Sequence, residues 1–237
     1  VKVDGDDQMD LGLAAHLVAP ILLGEADYAK GNRFTSISHL TTMPTVRVLG
    51  NAMLSFAAKL STGYWNIFDP TNGYTAIEAT VARLAMQKRI SRRFFFETDL
   101  LYHLGTLRAV VRDVPMPARY ADEVSNIRIG QIVGPFALKH GRNFAQRVVG
   151  QYFVRDFNAA SLELVFGLFS TLFGVGYAMS YLANRVPGQA ASAGVVMLAA
   201  LPVILGAQFL LQAMNFDVLN VPNRPIHPYL RAVGQME

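Results

Sequence analysis

Two long stretches without a charged residue, Leu164 to Asn184 and Val186 to Phe216, constrain this chain more than anything else in it. A segment taken through hydrocarbon must satisfy its own backbone N–H and C=O groups, which a helix does and an open strand does not. Twenty-one residues at about 1.5 Å each cover roughly 31 Å, the thickness of a bilayer's hydrocarbon core. The second stretch is longer and can cross with tilt. The turn Asn184-Arg185-Val186-Pro187-Gly188-Gln189 between them makes the pair a helical hairpin. Pro202 is expected to kink the second helix. Gly167, Gly174, Gly194 and Gly206 would let the backbones approach. Two buried helices of a soluble core are the competing reading, and their length argues against it.

Composition agrees with a chain partly solvated by lipid. Of 237 residues, 52% are hydrophobic and 16% charged, against about 25% charged in an average soluble domain. The absence of cysteine excludes disulfides, thiolate metal sites and a cysteine nucleophile. A net charge of +4, unevenly spread, gives no sign of a nucleic-acid partner. Arg128, Lys139, Arg142, Arg147 and Arg155 precede the first span, Arg224 and Arg231 follow the second, and Arg185 alone lies between. The positive-inside tendency places both ends in the cytoplasm. The expected product is an integral membrane protein with both of its ends in the cytoplasm.

Two segments suit a membrane surface. Between Pro44 and Tyr64, the apolar residues Val46, Leu49, Met53, Phe56 and Leu60 recur at helical spacing, and Arg47, Asn51, Ser55 and Lys59 form a separate polar line. From Ile132 to Phe153, Val133, Phe136, His140, Phe144 and Val148 run beside Lys139, Arg142 and Arg147. An apolar stripe packed on a protein core is the alternative for each. Upstream, Val1 to Val3 and Ala109 to Val114 read as strands, and Ala76 to Gln87 and Glu97 to Leu104 as helices. The expected class is α/β. Its divisions are an N-terminal α/β part at 1–127, amphipathic juxtamembrane helices at 128–157, the hairpin at 158–217 and a cytoplasmic tail at 218–237.

The opening residues carry the chemistry. Side chains two apart in an extended segment point the same way, so Asp4, Asp6 and Gln8 can converge on one point. Three oxygen donors at a strand end suit a hard divalent cation, Mg2+ or Mn2+. Acidic pairs also shape turns, and the motif alone does not choose. His16, His39, His103, His140 and His227 show no ligand spacing, and there is no Gly-rich phosphate loop or Ser-His-Asp ordering.

Five ordered blocks carry a resemblance. Asp4-Gly-Asp6-Asp-Gln8 looks like an Asp-x-Asp-x-Gln metal motif, and Gly31-Asn32-Arg33-Phe34 like a Gly-Ser-Arg-Tyr segment. Asp69-Pro-Thr-Asn72-Gly73-Tyr74 resembles an Asp-x-x-Ser-Gly-Phe turn. Phe96-Glu97-Thr-Asp99-Leu100 and Arg119-Tyr-Ala-Asp-Glu-Val-Ser125-Asn126 match the last two blocks. Together with the hairpin, the chain resembles family-2 glycosyltransferases of the type that moves a sugar from a nucleotide onto a polyprenyl phosphate. The resemblance implies a GT-A-like domain followed by interface helices and membrane spans. It also implies that the nucleotide-binding half precedes the metal motif, so this segment alone is expected to be inactive. The Gln-x-x-Arg-Trp motif of polysaccharide synthases is absent.

The implied reaction is metal-dependent, inverting transfer to undecaprenyl or dolichyl phosphate at the cytoplasmic membrane face. Mg2+ or Mn2+ on Asp4, Asp6 and Gln8 would offset charge on the leaving diphosphate. A lipid phosphate is mostly dianionic at neutral pH and needs a cationic cradle rather than a general base. Arg33 and Arg119 are the candidates, with Ser125 and Asn126 adding hydrogen bonds. Asn72 and Gly73 would border the donor sugar by resemblance, or simply shape a Pro-Gly turn together with Asp69. Asp69, Glu97 and Asp99 are the candidate catalytic carboxylates, although Glu97 and Asp99 also suit the dipole of a helix start. The expected partners are a nucleotide sugar, a polyprenyl phosphate and the bilayer; a homo-oligomer is compatible. A hydroxyl acceptor, or a membrane hairpin that recruits a partner without catalysis, are the rival readings.

Overall fold

β1 (Tyr28–Asn32) is buried along its whole length and organises the N-terminal unit. In the computed structural model, which describes residues 1–5, 9–34, 45–116, 129–185, 188 and 190–234, with the side chains of 45–48, 93 and 129–132 left aside, β1 is the middle of three strands. β2 (Thr75–Ile77) pairs with it antiparallel, Lys30 opposite Thr75, and β3 (Val111–Pro115) parallel, Lys30 opposite Asp113. Helix makes up 67% of the structure, so the fold is mixed α/β with a small sheet in a mostly helical chain.

The helices in chain order are α1 (Ala14–Leu22), α2 (Thr45–Thr62), α3 (Ala79–Met86), α4 (Phe96–Leu107), α5 (Ile129–Val149), α6 (Ala159–Asn184), α7 (Ala193–Leu219) and α8 (His227–Gly234). Alternation along β1 divides the core. Tyr28 joins Tyr64, Val81, Leu101, Leu104 and Val111 in one cluster. Ala29 joins Leu17, Tyr74, Ala76 and Met116 in the other.

Two sequence expectations change, and the facing of α2, which the sequence left open, is decided. Val1 to Val3 does not form a strand; Lys2 alone bridges to Thr75, antiparallel. The helix expected from Ala76 begins at Ala79, because 75–77 is taken by β2 and Glu78 caps the helix, accepting from Thr80 N and Val81 N. In α2 the polar side turns inward. Ser55, Ser61 and Thr62 are buried, whereas Leu49, Met53 and Phe56 are 62%, 67% and 51% exposed. Hydrogen bonds account for that choice: Ser55 donates to the Phe68 carbonyl, Thr62 to the Ala58 carbonyl, and Ser61 Oγ lies 2.8 Å from His140 Nδ1.

Residues 1–147 and 221–237 form one unit, and 148–220 another. Within the second, α6 and α7 are both long and apolar enough to cross a membrane, and only 22% and 6% of their most apolar windows are buried. Asn158 caps α6 in a capping box with Ser161, and Ser192 caps α7. The two backbones approach at glycines: a Cβ on Gly206 would lie 2.8 Å from the Gly167 carbonyl, and one on Gly174 2.7 Å from the Ala199 carbonyl. Gly194 meets no other helix, contrary to expectation.

The segment after α7 belongs to the first unit. Val221, Ile226 and Leu230 pack on the core around Tyr28, and Arg231 pairs with Glu78 at 2.8 Å. Asp27, fully buried at the start of β1, accepts from the backbone N–H groups of Val110, Ile226 and His227 and contacts His227 Nδ1 at 2.9 Å.

Candidate active site

The C-terminal end of β1 gathers residues from four of the five sequence blocks. Lys2 extends from its bridge with Thr75 and donates from Nζ to Asp4 Oδ1 at 2.7 Å and Glu97 Oε1 at 2.8 Å. Burial opposes the Lys2 charge, but the hydrogen bonds to Asp4 and Glu97 outweigh it and hold its pKa above the ordinary lysine value. The other oxygen of Asp4 lies directly on Gly73, where a Cβ would come within 1.7 Å of it. A side chain at position 73 would have to displace the Asp4 carboxylate.

Arg33 is oriented by Asp69. Nε donates to Asp69 Oδ2 at 2.8 Å and Nη2 to Oδ1 at 3.1 Å, a fork-to-fork pair with the carboxylate buried. Asn72 is buried as well. It donates to the Gly31 carbonyl and accepts from Tyr74 N, while its own carbonyl accepts from Lys30. Gly31 is open for the same reason as Gly73: a Cβ there would strike the Met116 side chain. Asp69 and Asn72 therefore shape the turn and fix Arg33.

Glu97 and Asp99 both fall in the first turn of α4 and go separate ways. Glu97 shares Lys2 with Asp4. Asp99 is buried and accepts from Ser91 N at 2.7 Å and Asn143 Nδ2 at 2.9 Å. Burial pushes its carboxyl up, but the bonds from Asn143 and Ser91 prevail and hold its pKa below the ordinary value. Its observed contacts join α4 to α5, away from the Lys2 cluster. Asp6, Gln8, Arg119, Ser125 and Asn126 lie outside the described residues.

At Asp4 the described oxygens already share a cationic group, the Lys2 ammonium drawn between Asp4 and Glu97. Of the expected trio Asp4 alone is described, and among the described residues no three His, Asp or Glu side chains gather closely enough to hold an ion.

Two residues that sequence reasoning missed sit beside this cluster. Lys30 is fully buried, and burial lowers its pKa to about 8. Asp113, its register partner, accepts from Asn32 Nδ2 and Phe68 N through Oδ2, while Oδ1 has no hydrogen-bond partner among the described residues. Burial raises the Asp113 pKa from 3.8 to about 6, and nearby Asp69 adds to it. The one signal was position: Lys30 immediately precedes the Gly31-Asn32-Arg33 block.

Asp113 gives a pH prediction. The folded chain holds this proton more tightly than the unfolded chain does. The resulting stability is therefore complete below about pH 4 and lost as pH rises through about 6. Asp113→Asn keeps an acceptor for Asn32 and Phe68 and removes the charge. In thermal unfolding it should be more stable than the parent at pH 7.5, by up to ~3 kcal/mol at 1.4 kcal/mol per pKa unit. The difference should vanish near pH 4; a pH-independent difference would contradict it.

No protein-family model matches this chain, and no curated protein gives a match to it.

Proposed function

We propose that the chain acts in a metal-dependent, membrane-anchored glycosyltransferase of GT-A type. It transfers a sugar, with inversion, from a nucleotide sugar to a polyprenyl phosphate at the cytoplasmic face of the membrane. The observation that carries this reading is convergence. Asp4 lies on Gly73, Gly73 belongs to the turn whose Asp69 grips Arg33, and Lys2 ties Asp4 to Glu97. Residues 36, 69 and 95 positions apart in the sequence meet at one end of a sheet, where α/β folds place ligands.

In this reading Asp4, with Asp6 and Gln8, would hold Mg2+ or Mn2+. When bound, the ion supplies Lewis-acid compensation for the leaving diphosphate. Arg33, held in plane by Asp69, presents guanidinium charge to the acceptor phosphate, with Arg119, Ser125 and Asn126 as its proposed companions. The dianionic phosphate attacks without a general base. Asp69 thus acts as a positioning residue, and Glu97 sets the place of Lys2 beside Asp4. Asn72 and Gly73 border the sugar by holding the turn against β1. α6 and α7 anchor the site to the inner or plasma membrane.

Arg33 supplies the test. In the protein as the cell makes it, reconstituted with radiolabelled nucleotide sugars, Arg33→Lys keeps a charge for Asp69 but loses the fork. It should lower transfer to undecaprenyl phosphate roughly 10- to 100-fold, in keeping with the cost of one to two lost charge-assisted hydrogen bonds. Unchanged transfer, or transfer to a hydroxyl lipid that survives the substitution, would refute the phosphate acceptor.

A further inference from the structure

One oxygen of Asp113 joins the two pieces of chain that carry the Arg33–Asp69 pair. Oδ2 accepts from Asn32 Nδ2 at 2.9 Å and from Phe68 N at 3.0 Å. Asn32 is the residue before Arg33, and Phe68 the residue before Asp69. We propose that Asp113 is the positioning residue for Arg33, fixing where the guanidinium stands by tying position 32 to position 68. Its bearing on sugar transfer rests on the acceptor role given to Arg33 above.

The surrounding contacts give that tie its direction. Asn32 Oδ1 accepts from Phe34 N at 2.9 Å, which turns the amide so that Nδ2 faces Asp113. At the far end of the turn, the Asn72 carbonyl takes the buried ammonium of Lys30. The segment from Phe68 to Asn72 is therefore held to β1 at both ends, through Asp113 at one and Lys30 at the other. Asp69 lies one residue from the first hold, so its carboxylate has little room to follow the arginine. The Arg33 side chain is 27% exposed. Holding a long, partly solvated side chain in one geometry costs entropy, and a fixed partner lessens the freedom to be lost. Packing alone does not call for a carboxylate at 113. Burial pushes its carboxyl up, and a buried charge costs stability unless it is bonded. Among the described residues Oδ1 makes no hydrogen bond, so the two ties are what the side chain does there.

Three variants separate the tie from the fold. Asp113→Ala cuts both bonds, Asn32→Ala cuts one from the other end, and Asp113→Asn keeps an acceptor for both. In the full chain, phenylglyoxal labelling read peptide by peptide should modify Arg33 several-fold faster in the two alanine variants than in the parent. Asp113→Asn should return Arg33 to the parental rate. Arg147, buried against the Leu60 carbonyl, reports loss of fold and should stay unreactive throughout. If Asp113→Ala exposes Arg147, Asn32→Ala decides. In the protein as the cell makes it, the KM for undecaprenyl phosphate should rise on the order of 10-fold in the alanine variants. The KM for the nucleotide sugar should not move, a split that a merely structural role would not produce. Parental reactivity of Arg33 in the alanine variants overturns the proposal, as does faster labelling that Asp113→Asn leaves uncorrected. Faster labelling with an unchanged KM for undecaprenyl phosphate upholds Asp113 as what places Arg33, and tells against the phosphate acceptor instead.

Discussion

Asp27→Ala is expected to detach α8 and to cost on the order of 3–5 kcal/mol. The carboxylate is fully buried and receives N–H groups from Val110 at 2.7 Å, Ile226 at 3.0 Å and His227 at 2.8 Å, besides the His227 ring. Bonds to a charged acceptor are worth about 1.5–3 kcal/mol each, and removing the acceptor leaves buried donors unsatisfied. Asp27→Asn is not a rescue, because its amide turns a donor toward donors. Hydrogen exchange over residues 226–234 of the full chain gives the readout, with thermal unfolding beside it. Exchange as slow as in the parent would show that Val221, Ile226 and Leu230 hold the segment by packing alone.

The same contacts bear on topology. A unit built from 1–147 and 221–237 requires the chain to come back after α7. A hairpin that crosses a bilayer must then return to the side it left, in keeping with basic residues on both flanks and few at the tip.

What could be read in the sequence follows from which signals are local. α6, α7, α4 and the extent of α2 follow from composition and spacing, which need no tertiary partner. β1 was invisible because Tyr-Ala-Lys-Gly-Asn contains no β-branched residue and carries a lysine; its neighbours on both sides make it a strand. The facing of α2 was equally hidden. Periodicity separates two faces of a helix but does not say which one meets protein, and here the hydroxyls of Ser55 and Ser61 find buried partners. At the site, Arg33, Asp69 and Gly73 were legible as blocks, but their mutual roles were not. Pairing Arg33 with Asp69 joins positions 36 apart, and nothing local marks Lys2 as the cation between Asp4 and Glu97.

Lys2 sets up the prediction with the largest effect on activity. Under the proposed function, Asp4→Ala should lower sugar transfer on the order of 10³-fold, about 4 kcal/mol of transition-state stabilisation. Chelation of divalent ions should do the same to the parent and add nothing to the variant. Lys2→Met should act in the opposite sense on binding. Its ammonium occupies Asp4 Oδ1 and holds Glu97 2.8 Å away on its other side. An ion entering at Asp4 has to displace it or share the carboxylate with it. Removing the ammonium leaves two like charges facing one another, which a divalent ion relieves. The Mn2+ Kd, followed by the loss of free-ion paramagnetic signal, should therefore fall several-fold in Lys2→Met and rise beyond detection in Asp4→Ala. If Lys2→Met binds Mn2+ no better than the parent, Lys2 does not compete for this place. If Asp4→Ala binds as well as the parent, the ion is held elsewhere and Asp4 serves the turn at Gly73 alone.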